Sequence, residues 1–310
     1  EALHRFAKGA ADALREEITV DLGRTRPDAL SASATTVQIV LGSRSTALPL
    51  SFLAKAAKKR KLGAWECYAN GEYPPSKVEG FSERTRRTAS LLPLPGGVPP
   101  TAVLSGFNMH RMRDVDPGED TRRKLGAIGS KLNGRVLDVC TGLGYTAIGA
   151  AARPTVDEVV TIELDPLMIE LQRANPWSAE LFESPKIVRL LGDATELLPA
   201  LPDGHFHACI HDPPTAALAG ELFSVEIYRQ LRRCLRPGGV LFHYVGDPAS
   251  KASGRMFKGI VERLRVAGFE ARVHAKAYGI AAVAVDMPCE RRRSVVSPEM
   301  RVPTRALGNP

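Results

Sequence analysis

The chain has 310 residues, of which 44% are apolar and 25% are charged, and its formal net charge at pH 7 is +8. This composition is typical of a globular protein, and no run of about 18 apolar residues predicts a membrane-spanning helix. Five cysteines without metal-type spacing predict free thiols in a reducing compartment. We therefore expect a soluble intracellular protein, in the cytoplasm, or in a plastid or mitochondrion if a leader has been removed before Glu1.

The positive charge is concentrated in the first part of the chain. Residues 1–130 hold 20 Lys and Arg against 14 Asp and Glu, whereas residues 131–310 hold 22 against 20. The ordinary interpretation is a solvated basic surface, and a nucleic-acid or acidic partner is the alternative.

Residues 1–110 predict an N-terminal helix followed by a small, mostly β domain. Apolar residues at helical spacing favour a helix over residues 3–17. Residues 35–50 have a β pattern with a Gly-Ser turn, residues 51–61 favour a short helix, and residues 65–100 favour short strands and loops.

Residues 111–130 are predicted to be a linker, entered through a polar loop. Two interpretations of this loop stand side by side. Either it brings chemically active side chains to the second domain, or it is a domain-joining turn in which Asp120 caps a helix over residues 121–128. The side chains concerned are Met109, His110, Arg111, Asp116 and Asp120.

The stretch RVLDVCTGLGYTAIGA, residues 135–150, predicts a buried strand, a glycine turn and a helix that begins at Tyr145. Gly142 and Gly144 would let the chain turn sharply and let a ligand approach the backbone. Strands and helices then alternate as far as residue 285, which predicts a mostly parallel sheet with helices on both faces. We expect this α/β domain over residues 131–288 and an irregular tail over residues 289–310.

Acidic residues follow four of the predicted strands. They are Asp138, Glu163, Asp193 and Asp212, and the carboxyl ends of parallel strands meet at one edge of a sheet. Glu163, 19 residues beyond Gly144, could accept both hydroxyls of a ribose, and Asp193 could accept from an adenine amine. An acidic set suits a ligand with a positive centre and no phosphates. A dinucleotide would require a third glycine where Ala147 stands.

The series LDVCTGLG, TIELDP, LLGDA, HDPP and LRPGGVLF resembles the class I, Rossmann-like methyltransferases that depend on S-adenosyl-L-methionine (SAM). The resemblance covers roughly residues 120–285 and implies SAM as the cofactor. Cys140 is a departure, because the family usually has glycine there, and it would fit with its side chain directed into the sheet. The resemblance implies cofactor contacts from Asp138, Thr141, Gly142, Gly144, Tyr145, Glu163, Asp193 and Ala194.

A narrower resemblance joins SGFNMHR, DPGEDTRRKL, ANPWSAELF and HDPPTAALAGELFS to a group of predicted methyltransferases best known in archaea, with relatives in photosynthetic eukaryotes. That group names no acceptor. The Asp-Pro-Pro segment resembles the loop of amino-group methyltransferases, which implies a nitrogen acceptor, although Thr215 stands where those enzymes usually have an aromatic residue that stacks on a base. Asp212 and His211 are the predicted catalytic residues. Further acceptor-side candidates are His110, Pro213, Pro214, His243 and Tyr244.

Two alternatives remain open. Residues 212–239 and the small β domain also resemble the spermidine synthases, which transfer an aminopropyl group from decarboxylated SAM, but their first motif usually carries an acidic residue that CTGLGY lacks. A methyltransferase-fold subunit of a larger assembly, made of protein alone or containing RNA, would suit the basic first half and the tail. No metal is predicted, because His205, His207, His211 and His243 have no carboxylate or thiol at ligand spacing.

Overall fold

A computed structural model describes Leu3 and residues 20–58, 63–68, 73–112 and 114–285. The predicted helix over residues 3–17, apart from Leu3, and the tail over residues 289–310 lie outside the described residues. Within the described part, no helix combines the length and apolar character needed to cross a membrane.

The chain forms two compact units. One comprises Glu1–His110 with Ile169–Trp177, and the other comprises Arg111–Met168 with Ser178–Pro310, as far as these residues are described.

The first unit contains short antiparallel sheets. The β pattern of residues 35–50 is a hairpin in the structure, and Val37, Ile39 and Leu48 are buried in a small core beside it. The elements in chain order are β1 (Ala29–Ala32), β2 (Thr36–Leu41), β3 (Arg44–Pro49), α1 (Leu50–Lys58), β4 (Trp65–Glu66), β5 (Ser76–Lys77), β6 (Glu79–Ser82), β7 (Arg87–Leu92), β8 (Thr101–Leu104) and β9 (Phe107–Asn108).

The second unit is built on a seven-stranded sheet. Its strands are β10 (Gly134–Val139), β11 (Val156–Glu163), β12 (Ile187–Leu191), β13 (Phe206–His211), β14 (Leu235–Tyr244), β15 (Phe269–His274) and β16 (Gly279–Ala284). The spatial order is β12-β11-β10-β13-β14-β16-β15, with β10 to β14 parallel and β16 antiparallel to both of its neighbours.

Helices cover both faces of this sheet because its strands alternate between two apolar faces. Leu137 belongs to a core that includes residues of α8 and α9, and Val136 belongs to a core that includes residues of α2 and α3. The predicted Rossmann-like α/β fold is confirmed. The helices are α2 (Pro117–Ile128), α3 (Tyr145–Ala151), α4 (Pro166–Arg173), α5 (Glu180–Glu183), α6 (Ala194–Leu197), α7 (Ala216–Ala219), α8 (Val225–Cys234) and α9 (Lys251–Val266).

The start of α2 differs from the prediction. Asp116 caps this helix, because its Oδ1 accepts from the N–H groups of Gly118 at 2.7 Å and Glu119 at 3.0 Å, and Pro117 occupies the first turn. The prediction that Asp120 caps the helix is wrong. Asp120 lies one turn further on and is fully buried.

The strand order reverses at β10. The chain runs outward from β10 through β11 to β12 and then returns to the other side of β10 at β13. At such a reversal the loops after the two neighbouring strands diverge and leave a crevice at the carboxyl edge of the sheet. The acidic strand ends identified from the sequence lie at this edge.

Candidate functional site

The loop after β10 has the left-handed backbone that its glycines suggest. Gly142 has φ +54° and Gly144 has φ +82°. A Cβ atom on Gly144 would lie 2.2 Å from Leu181 Cδ1, so this glycine is required by protein packing. A Cβ atom on Gly142 would have no described atom within 4 Å, so Gly142 faces open space. Of the two glycines, Gly142 is therefore the one that a ligand can approach.

Cys140 also has a left-handed backbone, with φ +74°, which explains why glycine is usual at this position in the family that the sequence resembles. Its side chain packs against the core that contains Leu137, in agreement with the predicted orientation. Burial raises the pKa of the Cys140 thiol well above its ordinary value, and four carboxylates raise it further: those of Glu163, Asp212, Asp138 and Asp193. The structure thus brings all four acidic strand ends together around one residue.

Asp138 is fully buried behind the glycine loop. Its Oδ1 accepts from the Thr146 hydroxyl at 2.8 Å and its Oδ2 from the Thr161 hydroxyl at 2.6 Å, and Thr141 Oγ1 lies 2.6 Å from Thr161 Oγ1. Burial raises the pKa of Asp138 to about 7, although both hydroxyl donors lower it. In this arrangement Asp138 and Thr141 brace the loop, and their predicted contact with a cofactor stays a prediction.

Glu163 connects the loop after β11 to the glycine loop. Its Oε2 accepts from the Gly142 N–H and its Oε1 from the Asp165 N–H, both at 2.9 Å. Burial raises the pKa of Glu163 to about 7 against the lowering effect of these donors. Because each carboxylate oxygen can accept a second hydrogen bond, the two hydroxyls of a ribose could still bind here.

Asp193 follows β12 and caps α6. Its Oδ1 accepts from the Thr195 N–H at 2.8 Å and from the Thr195 hydroxyl at 2.7 Å. Ala194 and Tyr145 are nearly buried on either side of the same edge. The predicted contacts of Asp193 and Ala194 with an adenine, and of Tyr145 with the cofactor, stay predictions.

Asp212, the first residue after β13, lies at the centre of an ionic cluster. Lys124 Nζ lies 2.6 Å from Asp212 Oδ2 and 2.9 Å from Asp120 Oδ2. Lys124 and Asp120 are almost completely buried, whereas the Asp212 side chain keeps 19% of its surface exposed. Burial alone would lower the pKa of Lys124, but the two carboxylates raise it above its ordinary value.

The sequence pointed to Asp212 but missed Lys124. The only local signal was the spacing of Asp120 and Lys124, four residues apart on a helix, which allows an ion pair. The contact with Asp212 joins residues 88 positions apart and depends on how α2 lies across the sheet.

Tyr244, at the end of β14, adds an aromatic ring to the cluster around Asp212. Lys124 Nζ lies 4.4 Å from the centre of its ring. Burial raises the pKa of Tyr244 to about 12, and Lys124, Asp120, Asp212 and Arg111 all influence its hydroxyl electrostatically. Pro213 and Pro214, directly after Asp212, are buried and partly buried. Their predicted acceptor contacts, like that of Tyr244, stay predictions.

The structure argues against the two histidines as catalytic or acceptor contacts. His211 and His243 are both fully buried. His211 Nε2 donates to Leu222 O at 2.9 Å, and His243 bridges the His211 carbonyl at 3.2 Å and the Tyr228 hydroxyl at 3.0 Å. Burial lowers the pKa of His211 to about 4 and that of His243 well below its ordinary value, so both rings are neutral members of the core.

His110 is described within the first unit. Its Nδ1 lies 2.9 Å from the Thr101 hydroxyl, and the Thr101 hydroxyl also accepts from the His110 N–H at 3.2 Å. Its predicted role toward an acceptor stays a prediction. Among the described residues, no group of three or more His, Cys, Asp or Glu side chains has an arrangement that could hold a metal ion.

Comparison with known proteins gives a consistent set of relatives. Residues 134–272, somewhat less than half of the chain, match the spermine/spermidine synthase domain family. An uncharacterised protein of Methanocaldococcus jannaschii is 48% identical over 173 residues, which are 56% of this chain and 59% of that protein. A polyamine aminopropyltransferase of Mycobacterium tuberculosis is 32% identical over 154 residues, 46% of this chain and 29% of that protein.

A third relative is named as an enzyme that transfers a methyl group instead of an aminopropyl group. Putrescine N-methyltransferase 4 of Nicotiana tabacum is 28% identical over 109 residues, 34% of this chain and 28% of that protein. The chain thus spans less than two thirds of the length of each of these three relatives.

Solved structures agree with the fold. The spermidine synthase of Thermotoga maritima has a TM-score of 0.54 at 20% identity, covering 66% of this chain and 71% of that one. A spermidine synthase in complex with the transition-state analogue AdoDATO has a TM-score of 0.56 at 19% identity, covering 73% and 80%. The described sheet therefore has the Rossmann-like fold that spermidine synthases share with SAM-dependent methyltransferases.

Proposed function

We propose that this chain is a SAM-dependent methyltransferase that acts on a nitrogen acceptor. The observation that carries the proposal is the convergence of Glu163, Asp193 and Asp212 around the loop of residues 140–145, on which Gly142 faces open space. Glu163 would offer two oxygens to a ribose, and Asp193, after the next strand, would accept from the adenine amine. These residues suit a nucleoside with a positive centre, and no described side chain of the glycine loop is acidic.

SAM, when bound, supplies a methyl group on a positively charged sulfur. The chain's own contribution to an in-line displacement is alignment, exclusion of water and removal of one proton. Lys124 occupies one oxygen of Asp212 and holds the carboxylate in place, and the partly exposed remainder can accept a hydrogen bond from an acceptor N–H. Asp212 would thus orient the nitrogen and receive its proton, without the histidine predicted beside it.

Aminopropyl transfer from decarboxylated SAM is the second candidate, because residues 134–272 match the spermine/spermidine synthase domain family. The two donors differ by one carboxylate. The glycine loop TGLGY has no acidic side chain to compensate the donor's amine once that carboxylate is lost. This difference favours SAM over its decarboxylated form.

Calorimetric titration with SAM, decarboxylated SAM and S-adenosylhomocysteine tests the proposal. We expect SAM and S-adenosylhomocysteine to bind more tightly than decarboxylated SAM. A preference for decarboxylated SAM would replace methyl transfer by aminopropyl transfer. Binding of none of the three would contradict both and leave the subunit of a larger assembly as the better hypothesis.

Asp212→Ala tests the role of the acidic strand end after β13. We expect this variant to bind SAM as the wild type does and to lose at least about a hundredfold in turnover, since it lacks the group that orients the nitrogen and takes its proton. Asp157→Ala, an exposed carboxylate at the amino end of β11, is the control. Methylation by Asp212→Ala at the wild-type rate would show that the catalytic assignment is wrong.

A further inference from the structure

Arg111, at the start of the second unit, has a guanidinium group that is only partly hydrogen-bonded. Its Nε and Nη1 atoms are buried and have no hydrogen-bond partner among the described residues. Burying a charged donor without a partner costs free energy, so such a group is expected to have an anionic partner in the functional state.

The guanidinium is held in a fixed position by an aromatic ring. Arg111 Cζ lies 3.6 Å from the centre of the Tyr278 ring, a stacking distance. Stacking uses the face of the planar guanidinium and leaves its N–H groups in the plane of the group, where a carboxylate oxygen can accept from them.

Tyr278 is itself placed by the end of β14. It has φ +54°, unusual for a bulky residue, and its carbonyl accepts from the N–H groups of Val245 at 3.0 Å and Gly246 at 2.9 Å. The ring that supports Arg111 is therefore fixed to the segment that follows Tyr244, on the acceptor side of the site.

The charges on this side are already balanced before a substrate enters. Asp120 and Asp212 both pair with Lys124, and Arg111 also acts electrostatically on Asp120 and Tyr244. Two carboxylates thus face two cations. Asp212 can receive one nitrogen, but the second amine of a diamine would find no further carboxylate in this cluster, whereas a substrate carboxylate would meet the unpartnered N–H groups of Arg111.

We propose that Arg111 receives a carboxylate of the substrate and distinguishes carboxylate-bearing substrates from plain amines. This inference rests on the proposed function, since it names a substrate class for the same site. The carboxylate has two sources, the methionine moiety of the donor or the acceptor itself, and both would use the same guanidinium edge.

Binding calorimetry on Arg111→Met distinguishes the sources through two matched pairs of probes. The donor pair is SAM and decarboxylated SAM. The acceptor pair is γ-aminobutyrate and putrescine, which share a four-carbon chain and differ in a carboxylate or an amine at one end, titrated into protein saturated with S-adenosylhomocysteine. Arg122→Met, which removes an exposed arginine of α2, is the matched control.

We expect Arg111→Met to lose at least about tenfold in affinity for the carboxylate member of one pair and less than about twofold for its partner. Arg111→Lys should recover only part of the lost affinity, because lysine keeps the positive charge but lacks the planar guanidinium group. A loss confined to SAM assigns the donor carboxylate, and a loss confined to γ-aminobutyrate assigns the acceptor.

Equal losses for both members of each pair would mean that Arg111 only supports the fold, and would overturn the inference. Unchanged affinities throughout would overturn it as well. These results are separable from failure of the proposed function, because that failure is seen in the wild type, as binding of neither SAM nor decarboxylated SAM.

Discussion

Glu163 links donor binding to pH. Its pKa is raised to about 7 because its carboxylate is buried, so around neutral pH a large fraction of the protein carries a proton on an oxygen that a ribose hydroxyl would need. We expect the affinity for SAM to increase as the pH is raised from about 6 to about 8. Titrations over this range should give an inflection near pH 7 that Glu163→Gln removes. An unchanged inflection in Glu163→Gln would assign the effect to Asp138, whose pKa is also raised to about 7.

The raised pKa of Glu163 also makes the free energy of unfolding depend on pH. The direction of this dependence is opposite to that of a carboxylate whose pKa is lowered by folding. The folded-state pKa of Glu163 lies above its ordinary value of 4.5, so the folded protein binds this proton more tightly than the unfolded chain. The contribution to the free energy of unfolding is present below about pH 4.5 and is lost as the pH rises through about 7. The ionised form of Glu163, which a ribose would require, is therefore the form in which the folded protein is less stable.

Alanine substitutions at Gly142 and Gly144 should affect different properties, ligand binding in the first case and protein stability in the second. We expect Gly144→Ala to destabilise the protein by more than about 3 kcal/mol, because the new methyl group would overlap Leu181 and φ is +82°. Gly142→Ala should cost only about 1 kcal/mol, for its left-handed backbone, since no described atom lies near the new methyl group. It should nevertheless weaken SAM binding at least about tenfold.

Denaturant unfolding and calorimetry on the two variants check this pair. Gly42→Ala, at a glycine of the first unit with φ +55° and no described atom within 4 Å of the new methyl group, controls for the backbone penalty alone. Normal SAM affinity in a folded Gly142→Ala protein would contradict the assignment of Gly142 to the ligand.

At the scale of elements, the buried ion pair of Asp120 and Lys124 on α2 shows which features can be predicted from local sequence and which cannot. The predicted alternation of strands and helices agrees with the second unit, in which α8 begins at Val225 after a 3-10 turn and its cap, Ser224. The period of apolar residues determines these elements locally. The partner of Lys124 is determined by the packing of α2 on the sheet, which no local pattern contains.

The histidines illustrate the same limit. His211 ends a strand between Val139 and His243, and its side chain is fully buried with Nε2 bonded to Leu222 O. A polar residue at a strand end suggests a site residue from the sequence, but its burial depends on the helices packed over it. By contrast, the four acids were identified correctly as neighbours because parallel strands end at one edge whatever their loops do.

Replacing Lys124 should lower the free energy of unfolding, because the buried Asp120 carboxylate would lose its cation. In Lys124→Met, Asp120 would be left fully buried without its cation, and we expect a loss of about 3–5 kcal/mol in the free energy of unfolding. The double variant Asp120→Asn with Lys124→Met should recover most of this loss, because the buried Asp120 carboxylate that lost its cation is then removed as well. Arg122→Met, on the exposed face of α2, should change stability by less than about 0.5 kcal/mol. A double variant no more stable than Lys124→Met would mean that Asp120 is not the source of the cost.

At the scale of the whole molecule, the direction of the parallel strands determines which edge of the sheet a bound nucleoside should stabilise. Asp138, Glu163, Asp193 and Asp212 lie at the carboxyl ends of strands in one sheet, whereas the amino ends of β10, β11 and β12 lie at the opposite edge. The first unit contributes none of the acidic strand ends assembled around Cys140. A ligand in the proposed site should therefore stabilise one edge of one unit.

Hydrogen exchange with and without S-adenosylhomocysteine should reveal this footprint. We expect slower exchange in the segments that follow β10, β11 and β12, namely residues 140–145, 163–165 and 192–196, because their backbone amides either face the ligand or hold the side chains that do. Residues 133–135 and 155–157, at the other edge of the same strands, serve as the internal control. Protection spread equally over both edges would indicate general stabilisation by a ligand bound elsewhere, and protection confined to residues 20–110 would move the ligand to the first unit. Protection at the carboxyl edge alone would locate the nucleoside where the sequence pattern of acids first predicted it.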